Sequence, residues 1–196
     1  MAGRFILSLR RDTHGISTVE FAIVAPVVFF MLLGFLELAY VSSARTSLES
    51  ALLAGGRVVA ATTCPAQRPA LLQSTVNSAM VEFRSSNNAL PQITSRKYGS
   101  SFAQVGQPEP FIDNNANSIY DAGDSFTDVN GNGTWDADMG TQGSLGGAGD
   151  IVTYEATFQV ASLIPWISRT LNGGNSYPIR ASAIVRNEPI FRSSGC

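Results

Sequence analysis

The hydropathy pattern divides the chain in two. Residues 21–36, between Glu20 and Glu37, are sixteen consecutive uncharged and mostly apolar positions, with a weakly polar continuation to Ser43. A helix needs about 20 apolar residues to cross a bilayer core, so this run and its flanks predict a membrane span. Residues 42–63 continue in a helical pattern, with Leu48, Leu52 and Val59 separated by small side chains. Gly55-Gly56 weakens that helix and predicts a bend, and Pro65 and Pro69 then punctuate the chain. Leu72, Val76, Met80 and Phe83 fall on one helical face, with Leu71 and Ala79 beside them, which predicts a core helix. Weak alternation in 92–105 predicts one strand. Residues 150–160 and 177–187 alternate apolar with polar positions and are rich in β-branched and aromatic types, predicting an antiparallel pair. Between them, 163–171 reads as a short apolar helix carrying Trp166, lying on the sheet or on the membrane, and 172–175 as a turn.

Charge gives the span a direction. Arg4, Arg10 and Arg11 precede it, and Arg45 is the first base after it. That excess holds the N-terminus in the cytoplasm and exports the bulk of the chain, a single-pass topology. Gly15 stands at the mouth of the span, followed by Ile16, and Glu20 is the fifth residue after Gly15, next to Phe21. A charge inside a bilayer costs roughly 2.5–3.5 kcal/mol or more, so Glu20 needs a job or a partner. Cleavage after Gly15, as at a type IV prepilin-like signal, makes Ile16 the new N-terminus. In a bundle of such helices the Glu20 carboxylate would neutralise a neighbour's Ile16 amine; alternatively it sits in the headgroup layer without a partner. Glu37 lies about 25 Å further along the helix, near the opposite interface. Membrane helices tolerate a proline such as Pro26. The competing reading of the leader is an ordinary secretory signal cut at the small residues Ser42-Ser43-Ala44.

The stretch GISTVEFAIVAPVVFFMLLGFLELA, with its Gly, Glu-Phe, Ala-Pro and late Glu, resembles the TadE/TadF-like pseudopilins of bacterial tight-adherence systems. The likeness covers about residues 10–60, with weaker echoes in the cysteine placement and in ASAIVRNEP. It implies a minor membrane-anchored component that helps assemble or secrete Flp-type pili. The partners it implies are other pilin or pseudopilin subunits and inner-membrane assembly proteins, with a prepilin peptidase removing the leader. The location it implies is the bacterial inner membrane, with the C-terminal part in the periplasm.

A second chemical signal lies in DVNGNGTWDAD. Asp128, Asn130 and Asn132 supply oxygen at positions 1, 3 and 5 of a Ca²⁺ loop, Gly133 permits the sharp turn at position 6, and Asp136 is at position 9. The Thr134 carbonyl adds an oxygen at position 7, and Trp135 packs inward as an anchor. Position 12, where a bidentate glutamate closes an EF-hand, is Met139; Asp138 is one place early, and Asp121 or Asp124 are other candidates to reach in. The loop is therefore calcium-like, closer to the acidic DxNxNGxxD repeats of extracellular proteins. Its role with Ca²⁺ would be structural, ordering residues 113–149. The alternative is a metal-free Asn/Gly/Asp turn.

Cys64 and Cys196 are the two cysteines. In an oxidising compartment their simplest use is one disulfide closing most of the exported part, contributing about 4–5 kcal/mol in the loop-entropy model; intermolecular bonds or free thiols are the alternatives. Removing the leader's three bases and one acid leaves ten bases and fourteen acids, a formal charge of −4. No basic patch with interleaved aromatics is present, which argues against nucleic-acid binding. The sole histidine, His14, lies in the leader, so the cleaved chain has no histidine for a triad or general base. Gly143–Gly149 follows the acidic loop rather than a strand, unlike a phosphate cradle.

The expected fold class is α+β, a long N-terminal transmembrane and stem helix followed by a small exported domain with an antiparallel sheet and a long calcium-like loop. The expected organisation is a leader over 1–15, a membrane and stem helix over 16–63, and an exported domain over 64–196 containing the acidic loop 113–149. The function expected is a non-enzymatic pseudopilin-like component. The rival is a membrane-anchored or secreted, calcium-stabilised adhesin or binding domain unrelated to pili.

Overall fold

The computed structural model describes residues 16–62, 64–84 and 89–188. Helices α1 (Ile16–Ala61), α2 (Arg68–Ala79) and α3 (Pro165–Asn172) accompany strands β1 (Gln92–Tyr98), β2 (Phe111–Ile112), β3 (Ser125–Phe126), β4 (Thr141–Gln142), β5 (Ile151–Ala161) and β6 (Ser176–Arg186). The expected leader lies outside the described residues. So does Cys196, and with it the expected Cys64–Cys196 bridge.

The 46 residues of α1 run through Pro26 and on without a break, a rod about 70 Å long at ~1.5 Å per residue. Its two halves live in different surroundings. Phe21, Ile23, Phe29, Phe35 and Leu38 are exposed, whereas Ala44, Leu48, Leu52 and Val59 are fully buried against α2 and the sheet. The stem is thus part of the domain core.

The bend expected at Gly55-Gly56 does not occur. A Cβ on Gly56 would lie 2.7 Å from Val185 Cγ2 and 3.2 Å from Tyr154 Cε2, and one on Gly55 would lie 2.9 Å from Leu72 Cδ1. The pair is there for close approach: neighbouring elements pack directly on the α1 backbone. The packing gained there outweighs the roughly 1 kcal/mol helix penalty of each glycine.

A 3₁₀ turn, Pro65–Gln67, reverses the chain into α2, which has a proline in its first turn. Leu72 and Val76 face the core, and Met80 and Phe83 extend the same face through the next turn. Arg68, 1% exposed, donates from Nε (3.2 Å) and Nη2 (3.0 Å) to Thr62 O and from Nη1 to Gly146 O at 3.0 Å. A cation on the Thr62 carbonyl, which follows α1, complements the negative end of the helix dipole.

The main sheet has the order β4-β1-β5-β6, antiparallel throughout. β5 and β6 pair over their full lengths, from Ile151↔Arg186 to Ala161↔Ser176. Val152, Tyr154, Ala156, Phe158 and Val160 point into the core with Ile179, Ala181 and Ala183, while Glu155, Thr157 and Gln159 face outward. Burying a large apolar side chain contributes about 1.5–3 kcal/mol, so one strand face carries much of the cohesion. Both strands sit within one residue of the expected positions. α3 occupies the β5–β6 connection and ends at Gly173, whose φ of 75° is the left-handed cap that glycine adopts without strain.

Candidate functional site

The expected processing and assembly residues lie at the start of α1. Gly15 is outside the described residues, Ile16 opens the helix, and Glu20 is exposed between the exposed side chains of Val19 and Phe21. This helix is long and apolar enough to cross a membrane. Glu37 departs from expectation: it is 3% exposed and turned into the protein, where Oε2 accepts the Ile164 N–H at 3.1 Å. A carboxylate placed at the start of α3 complements the positive end of that helix.

The acidic segment is a pair of matching loops rather than one. In the second, Asp128 Oδ1 accepts the N–H groups of Gly131 (2.7 Å) and Asn132 (3.1 Å), and Oδ2 accepts Gly133 N–H at 2.8 Å. Asn130 Oδ1 accepts Asn132 N–H, and Asn132 Oδ1 accepts both the N–H and the hydroxyl of Thr134. The side-chain amides of Asn130 and Asn132 each donate to Asp136 Oδ2 at 2.6 Å.

Fifteen positions earlier the scheme recurs. Asp113 accepts Asn117 and Ser118 N–H, Asn115 Oδ1 accepts Asn117 N–H, and Asn117 Oδ1 accepts Ile119 N–H. Asn115 and Asn117 donate to Asp121 Oδ2 at 2.8 and 2.7 Å. Backbone N–H donors, foremost those of Ser118 and Gly133, hold the Asp113 and Asp128 carboxyls respectively below the usual carboxylate range.

The loops also close each other. Glu109, which precedes the first, is fully buried and accepts Val129, Asn130 and Asp136 N–H in the second. Asp124, which precedes the second, accepts Asn114 and Asp121 N–H in the first. β2 and β3 pair Phe111 with Phe126 along this approximate two-fold. Trp135 stacks on Tyr120 with centroids 4.4 Å apart and planes 10° from parallel, and its Nε1 donates to Glu109 O at 2.9 Å. Phe111 and Phe126 meet Tyr120 edge-on at 5.8 Å, completing a small aromatic core.

Of the residues expected to hold calcium, Asp128, Asn130, Asn132, Thr134 and Asp136 share one loop. Asp138 instead faces the sheet, accepting the Tyr98 hydroxyl at 3.0 Å and pairing with Arg96 Nη1 at 3.3 Å. Burial first, and then the Asp138 bond, raises Tyr98 above its ordinary pKa. Asp121 and Asp124 serve the first loop. Asn130 and Asn132 present amide nitrogen to Asp136, so coordinating a cation there requires both amides to rotate and offer Oδ1. Among the described residues no group of three His, Cys, Asp or Glu side chains is placed to hold a metal ion. Sequence reasoning missed Glu109, Asp113, Asn115 and Asn117; the available signal was the spacing Phe-x-Asp-x-Asn-x-Asn-x-x-aromatic-Asp, repeated fifteen positions on.

No curated protein and no solved structure matches the chain. A family model does: the one described as TadE-like protein matches residues 15–57, so the N-terminal helix of this chain is similar to that of TadE-like proteins.

Proposed function

We propose that this chain is a minor pseudopilin-like component that assembles or secretes tight-adherence pili, anchored by α1. The TadE-like match implies work in a tight-adherence pilus system, a structural and non-enzymatic kind of role. The observation that supports the finer reading is the division of α1. Its first half offers exposed apolar side chains around Glu20, and its second half is locked into the domain core. Such a helix is held by lipid before assembly and by neighbouring helices afterwards, and it carries the exported domain with it.

Sequencing the N-terminus of the membrane-inserted product tests this, with Ile16 as the expected first residue. A product starting near Ala44 or Arg45 has lost its handle and refutes the proposal. Glu20→Ala separates assembly from processing. Breaking a buried ion pair costs about 3–5 kcal/mol, so pilus assembly should fall by roughly two orders of magnitude while the leader is still removed. Normal piliation with that variant would refute the helix-pairing role.

Within this role we propose that the second acidic loop takes a structural Ca²⁺ through Asp128, Asn130, Asn132, the Thr134 carbonyl and Asp136. With the Asn130 and Asn132 amides rotated to offer Oδ1, these become hard oxygen ligands at alternating positions, suited to the weak extracellular range of about 10⁻⁴–10⁻³ M. Chelation should then speed proteolysis within 128–138, and cleavage indifferent to chelator would rule the ion out.

A further inference from the structure

We propose that α3 and the residue Leu163 just before it form a membrane foot, seating Leu163, Trp166 and Leu171 in the outer-leaflet side of the same bilayer that α1 crosses. The inference rests on the membrane-anchored reading of α1 and adds a second lipid contact from the far end of the sequence.

α3 is amphipathic. Ile167 and Ser168 are buried against the body, whereas Leu163, Trp166 and Leu171 are 55%, 51% and 69% exposed. Of these, Trp166 and Leu171 lie alongside the apolar half of α1. The Trp166 ring centroid is 5.6 Å from that of Phe30. Phe30 is seven positions before Glu37, about 10 Å deeper along the helix axis. Leu171 lines a small, mostly apolar recess with Gly34, Leu38, Val41 and Tyr177, over Glu37. The exposed apolar surface therefore passes without a break from Phe30 and Leu38 on α1 onto α3.

α3 also resolves a mismatch in the span. Sixteen uncharged residues between Glu20 and Glu37 are short for a bilayer core of about 20 residues. With the Glu37 carboxylate turned inward onto Ile164 N–H, the exposed side of the helix carries no charge from Phe21 to Ser43. Beside Phe30 and about 10 Å inside Glu37, the half-exposed Trp166 ring is at acyl-chain depth, below the headgroup boundary. The polar side is marked by Arg169, exposed and donating to Asn175 Oδ1 at 2.7 Å. The continuity with α1 selects lipid as the occupant, ahead of a helix from a second copy.

The test uses the full chain in lipid nanodiscs with and without dibrominated phosphatidylcholine. The chain has two tryptophans, so Trp166→Phe isolates Trp135 and the difference reports Trp166. Brominated lipid should remove most of the Trp166 emission and leave Trp135 untouched, with Trp135 the more accessible to aqueous iodide. Equal iodide access for both rings, without quenching by lipid, would overturn the foot while leaving the anchor intact. Protection from iodide without lipid quenching, together with crosslinking of Trp166 to another copy, would assign the surface to protein and also overturn it. A chain that does not enter bilayers at all would sink the anchor and the foot together.

Discussion

The two acidic loops share a hydrogen-bond plan and differ in how their backbones meet it. In the second, Gly131 and Gly133 take φ values of 78° and 81°; in the first, Ala116 and Ser118 occupy the same positions at 58° and 64°. Glycine enters that region at little steric cost, whereas a side chain pays about 1–2 kcal/mol per residue. The closing acids differ too. Glu109 is fully buried, with three backbone donors, while Asp124 is half-buried with two. Both loops are largely exposed, but one is unstrained and closed by a buried acid, its twin strained and closed by a half-buried one. Their common scheme persists because each Asp–Asn–Asn–Asp set satisfies its own turn, and the shared aromatic core couples them.

Substituting the closing acids probes the larger part of this contrast. Glu109→Ala leaves three part-buried N–H groups without their buried acceptor, so the opening free energy of 128–136 should fall by about 3 kcal/mol, read as roughly hundred-fold faster amide exchange. Asp124→Ala should cost its loop about 1 kcal/mol, because water replaces the lost acceptor. Equal losses would show that burial does not distinguish the two.

Exchanging the strained positions comes next. Ala116→Gly should stabilise the first loop and Gly131→Ala should weaken the second, each by about 1 kcal/mol in thermal unfolding of the full chain in detergent. A Cβ on Gly131 meets nothing within 4 Å, so a loss there reports backbone conformation rather than a clash.

Acid gives the smallest effect. The folded Asp113 and Asp128 carboxyls titrate below their ordinary range, so their contribution is present above the unfolded carboxylate pKa. It is lost as pH falls through the lower folded values. Amide protection in both loops should fade together over that window, and fading in only one would break their equivalence.

The same contrast explains what the sequence disclosed. The second loop was legible because Gly131 and Gly133 announce its turns, while Ala116 and Ser118 hide the first in an ordinary polar stretch. Periodicity located the buried face of Leu72 and Val76 on α2 and of Met80 and Phe83 in the turn after it, and alternation located β5 and β6, because a single buried face imposes both patterns. Gly55-Gly56 misled: a glycine pair reads as weakness until Val185, Tyr154 and Leu72 are seen against it. Glu37 and Asp138 likewise pair with Ile164 and with Arg96 and Tyr98, partners far away in sequence that no local pattern encodes.

The burial of Ala44, Leu48, Leu52 and Val59 among sheet and helix has a mechanical consequence. Tension on the N-terminal end of α1 is delivered straight into the centre of the folded body, with no slack hinge to absorb it. Any force that draws on the rod must therefore lift the whole head as one load, or tear its interior apart.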